Sequence, residues 1–188
     1  MDNTDNIYYE KNFPLLKKNL IDVIKESQIK IGFTKNDVAL YYPLNALNNI
    51  LESNFSKEEM MEVLNKFTSY AADELGKINF SFGDERFCIK IPAEGVEYVH
   101  TKIETPMHLK EFIDYISQHK GTIEGIVDIF KKYSDNVVCK EYPDNDEFNY
   151  LVYFGNGSPD DYRYCINIEF GHITYHRFTP NDFDELKI

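Results

Sequence analysis

The sequence predicts an α+β fold: N-terminal helices, a β-hairpin, further helices, and a C-terminal antiparallel β-meander packed against helices. Two observations carry that reading. The apolar period is near 3.6 through residue 76, changes to two at residues 77–91, returns to helical spacing, and is two again from Val137 onward. Strands therefore do not alternate with single helices, as a parallel doubly wound sheet would require. The 188 residues are 43% hydrophobic and 15% aromatic, enough for a packed core rich in Phe and Tyr. We read one domain over 1–188, with a helical lobe at 1–76 and a mixed part with an antiparallel sheet at 77–188.

Taken in order, FPLLKKNLIDVIKESQIKIG places Leu16, Leu20, Val23, Ile24 and Ile31 on one stripe, with Pro14 in the first turn and Gly32 as a stop. Thr34 is expected to cap a short helix through Leu40, and Pro43 to begin another carrying Leu44, Leu47, Ile50 and Leu51. SKEEMMEVLNKFTSYAADELG has a capping box at Ser56 and Glu59, a stripe of Met60, Leu64, Phe67, Ala71 and Leu75, and a stop at Gly76. KINFSF and RFCIKI alternate around a Gly83-Asp84 turn and predict a hairpin. A short helix follows Pro92. Two more begin at Thr105-Pro106 and after Gly121-Thr122. VVCKEY, FNYLVYF, YRYCINIEF and HITYHRF are then strands.

A formal charge of -12 works against binding a phosphate backbone, because nucleic-acid affinity comes mainly from Lys and Arg. It is also unfavourable for docking to anionic lipid. The same charge favours solubility and attraction to a basic partner. No apolar run approaches the ~20 residues that a membrane helix needs, and the N-terminus lacks a signal-peptide pattern. Cys88, Cys139 and Cys165 are widely spaced and odd in number, so a reduced, cytoplasmic chain is expected, with no disulfide framework and no zinc knuckle.

The last hairpin, GSPDDYRYCINIEFGHITYHRFT, offers the sharpest chemistry. Alternation puts Tyr162, Tyr164, Ile166, Ile168, Phe170, Ile173 and Tyr175 on a core side. Arg163, Cys165, Asn167, Glu169, Thr174, His176 and Phe178 share the other side. A Gly171-His172 turn sets Asn167 opposite His176; a Phe170-Gly171 turn sets Cys165 there. A thiol beside an imidazole, with Asn167 or Glu169 to orient the ring, is a minimal cysteine-nucleophile arrangement. Against it stands a solvated or helix-covered sheet face, since only Arg163 offers positive charge and Glu169 opposes it.

His172 and His176 have a helical zinc spacing, but four residues of strand span about 13 Å, so no shared metal is expected. The run from Glu141 to Asp161 holds six carboxylates and no Lys or Arg. It fails as a calcium loop, because Phe148 takes the fifth position and no glycine the sixth. GNGSPD fails as a phosphate loop in spacing and context, so no cofactor is expected. His119 in a last helical turn and His108 in a first one are read as structural. Two segments are candidate binding surfaces: Tyr41 and Tyr42 ahead of a helix, and Glu94, Glu97 and His100 after Pro92, with Arg163 on the hairpin.

LYYPLNALN, RFCIKIPAEGVEYVH, PDDYRYC and YHRF resemble a family of uncharacterised gut Firmicutes proteins that carries a domain-of-unknown-function label. The resemblance implies a compact bacterial, cytoplasmic domain and transfers no catalytic residue, cofactor or substrate. The expected function is a soluble intracellular binding or regulatory protein for a basic protein partner, as an immunity or inhibitor module would be, or for a small molecule. The competing reading is a small hydrolase or transferase that uses Cys165 or Glu169 with His176.

Overall fold

The computed structural model describes residues 10–118 and 121–185. Its chain divides after Glu104 into two compact units. That boundary lies beyond the change of period at residue 76, because the first hairpin pairs with a strand from the N-terminal part and so belongs with the helices before it.

In the first unit, α1 (Phe13–Ile31) buries Phe13, Leu16, Leu20 and Ile24, and Gly32 ends it at φ 84°. Ile31, expected on the buried stripe, is 80% exposed in the last turn. The expected short helix from Thr34 is replaced by strand β1 (Val38–Pro43). Val38, Leu40 and Tyr42 alternate inward and pair with Ile91, Ile89 and Phe87, and that long-range pairing overrides a weak local helix signal. Pro43 then caps α2 (Leu44–Ile50).

Helix α3 (Lys57–Leu75) opens with the capping box, where Glu59 N–H donates to Ser56 Oγ and Ser56 N–H to the Glu59 carboxylate. Its whole apolar stripe is buried. Strands β2 (Asn79–Gly83) and β3 (Arg86–Ile91) complete a sheet of order β1-β3-β2. The turn is Asp84-Glu85, one residue later than expected, and both residues take the positive φ of a type I′ hairpin, 50° and 60°. Helix α4 (Ala93–Lys102) closes the unit. Phe67, Phe87, Ile89, Ile91, Val96 and Val99 join the α1 and α3 stripes in one core.

The second unit begins with α5 (Met107–Ile116) and α6 (Ile123–Lys131), the latter capped by Thr122. Strands β4 (Val137–Glu141), β5 (Tyr150–Phe154), β6 (Arg163–Glu169) and β7 (His172–Phe178) form the expected meander in sequential order. A short α7 (Pro180–Glu185) follows. Phe112, Phe130, Phe154 and Tyr164 are fully buried, with Phe112, Phe130 and Tyr164 packed edge to face. Phe170, assigned to the core side, is instead fully exposed because it is the first turn residue, with φ 50°. Among the described residues no helix is long and apolar enough to cross a membrane.

Candidate functional site

The last hairpin turns at Phe170-Gly171, both at positive φ, so Cys165 stands opposite His176, Asn167 opposite Thr174 and Glu169 opposite His172. The register that favours cysteine chemistry is the one formed, yet the surroundings oppose that chemistry. Cys165 is 2% exposed and lies in a small second core with Phe148 and Leu151, against which Tyr142, Tyr153, Phe178 and the Phe183 of α7 pack. Burial, with the charge of Glu147, pushes its thiol up to about 12, so at neutral pH it carries its proton. His176 stays exposed beside Phe178. The Arg163 guanidinium lies 4.1 Å over the Tyr153 ring and donates to the Asp161 carbonyl, so its charge is not directed at the thiol. Asn167 is half-buried and Glu169 exposed.

Elsewhere in this unit the fold assembles a constellation that sequence reasoning missed. Asp160, in the β5–β6 loop, has a side chain only 11% exposed. Its Oδ2 accepts hydrogen bonds from His108 Nε2 at 2.8 Å and Tyr164 Oη at 2.6 Å, and its Oδ1 accepts the Tyr162 N–H. Burial alone would raise the Asp160 carboxyl, but the His108 and Tyr164 hydrogen bonds and the His108 and Arg177 charges hold it below the usual range. The result is an ionised carboxylate pinned inside the unit. It ties the β5–β6 loop to α5 and β6. The only sequence signal was Tyr164 four residues after an Asp in a polar turn. His119 lies outside the described residues.

In the first unit Tyr41 and Tyr42, as strand neighbours, point to opposite faces. Tyr42 donates to Asn19 Oδ1 at 2.8 Å and is partly buried, whereas Tyr41 is 62% exposed and stands opposite Cys88. They cannot line one groove. Glu97 is paired with Lys35 at 2.6 Å, and His100 is stacked on Phe33 at 4.1 Å.

Glu94 is placed differently. It borders an open groove of about 640 Å³ lined on one side by Asn65, Thr68, Ser69 and Ala72 of α3, and on the other by Gly76–Phe80. Two glycines fix this geometry. A Cβ on Gly95 would stand 2.3 Å from the Leu75 carbonyl oxygen, and one on Gly76 would stand 2.7 Å from Glu94 Cγ, so the start of α4 sits directly on the end of α3. Neither Glu94 nor Lys77 has an ion pair among the described residues. No group of three or more His, Cys, Asp or Glu among those residues is arranged to hold a metal ion.

Comparison with known proteins gives a match at the level of family only: no curated protein and no solved structure matches this chain. Residues 13–187, nearly the whole sequence, match the model of a family described as a domain of unknown function named from E. rectale, and the chain belongs to that family, DUF3877.

Proposed function

We propose that the chain is an intracellular binding or regulatory protein whose contact surface is the groove beside α3, and that it is not a cysteine hydrolase. The observation that carries this reading is an open groove of about 640 Å³ lined by hydroxyl, amide and unpaired charged groups. The cysteine version of the competing enzyme reading is disfavoured by a Cys165 thiol that is buried and pushed up to about 12, and the Glu169 version by a register that sets Glu169 opposite His172 and not His176. A net charge of -12 favours a basic partner, and three free cysteines suit a reducing cytoplasm.

The test is affinity capture at low and moderate salt with the wild type and with Ala72→Trp, which fills the groove from an exposed helix position. A salt-sensitive partner held by the wild type and lost by Ala72→Trp is the expected result. A partner held equally by both, or none at either salt, overturns the proposal.

A further inference from the structure

We infer that the groove beside α3 takes an extended peptide, which adds as a fourth strand to β2 and directs a lysine or arginine toward Glu94. This rests on the groove being the contact surface, and it names the ligand class.

The argument starts from hydrogen-bond bookkeeping in the three-stranded sheet. Gly83 and Arg86 flank a two-residue turn, so they exchange both backbone hydrogen bonds, and so do the alternate pairs Ser81-Cys88 and Asn79-Lys90. Phe80 and Phe82 therefore direct their N–H and C=O groups away from β3. Because β2 is at the edge of the sheet, those groups meet no strand among the described residues. An unpaired row of donors and acceptors is a template for another strand.

The two edges of this sheet are not equivalent. On β1 the outward-directed residues are Ala39, Tyr41 and Pro43, and the proline has no N–H to offer. Pro43 blunts that edge, as prolines do on natural sheet edges. β2 carries no proline, and the groove borders its first two residues, Asn79 and Phe80. Thr68, Ser69 and Ala72 of α3 line the same groove as Asn79 and Phe80, and their short side chains leave it open. Glu94, unpaired at the margin of the groove, supplies a carboxylate for a basic side chain, and Lys77 in the same lining supplies an ammonium for an acidic one.

The experiment is selection of a phage-displayed library of random heptapeptides on the full chain, followed by binding and amide hydrogen exchange with synthetic copies of the enriched sequences. Expected are peptides with β-branched residues and at least one lysine or arginine. They should bind Ala72→Trp and Glu94→Gln at least about tenfold more weakly than the wild type, while the melting temperatures of both variants stay near the wild-type value. Bound peptide should slow exchange of the Phe80 and Phe82 amides at least about tenfold. No enriched sequence, or peptides that bind Ala72→Trp as well as the wild type, overturns the inference. Groove-dependent binding that leaves those two amides unprotected removes strand addition but keeps the groove as a binding site. A captured partner indifferent to Ala72→Trp removes the underlying proposal itself.

Discussion

His108 Nε2 lies 2.8 Å from Asp160 Oδ2, a contact across 52 residues that ties α5 to the β5–β6 loop of the same unit. The same oxygen accepts the Tyr164 hydroxyl at 2.6 Å, so one carboxylate holds a helix, a loop and a central strand together. Asp160→Asn keeps the shape but removes the charge, and is expected to cost roughly 2–4 kcal/mol, as loss of a buried, charge-assisted network does. The cost should depend on pH. The Asp160 carboxyl is held below its ordinary value in the folded chain. Its contribution is therefore present above the unfolded value of about 3.9 and is lost as pH falls through the folded one. Urea unfolding of both proteins from pH 7 to pH 3 checks this; a stability difference that fails to narrow below about pH 4 contradicts the ion-pair account.

Two of the three thiols, Cys139 and Cys165, should separate by accessibility. Cys139 is exposed, but partial burial and the charges of Glu124 and Glu141 raise its thiol, so it should label more slowly than free cysteine at neutral pH. Cys165 should label only on unfolding, because Phe148 and Phe183 cover it and its thiol is pushed up to about 12. Time-resolved labelling followed by peptide mass spectrometry reads both. Fast labelling of Cys165 in the native chain, slowed by His176→Ala, would restore the enzyme reading.

Gly95→Ala places a methyl group into the Leu75 backbone, where neither side can yield cheaply. A loss of roughly 1–3 kcal/mol is expected, as for other overpacked sites. Gly83→Ala serves as the control, since nothing stands within 4 Å of a Cβ there. Thermal unfolding compares the two; equal shifts would mean that the α3–α4 junction is looser than its geometry indicates.

Features fixed by neighbours in sequence were legible before the structure. The Ser56-Glu59 capping box, the stripe from Met60 to Leu75 and both hairpins were readable because each signal lies within one turn of helix or one tight turn. β1 was misread because its reason to be extended is β3, about fifty residues away. In the last hairpin the sequence is compatible with two registers, since the same faces result from either, and the positive φ of Phe170 decides between them. The cover over Cys165 was not legible: Phe148 and Phe183 are single aromatics in polar stretches, and nothing local announces that they meet. Asp160 was hidden among six carboxylates for the same reason. Of the candidate binding residues, Glu94 is the one that borders the groove, and what singles it out is the close approach at Gly76 and Gly95.

The asymmetry between Pro43 and the open β2 edge also bears on self-association. A sheet with two receptive sides can propagate through copy after copy into a fibre, whereas two copies that meet β2 to β2 are related by a twofold axis and consume both open sides at once. For this sheet, pairing of that kind closes as a six-stranded dimer, because the outward flank of each copy is then β1 with its Pro43.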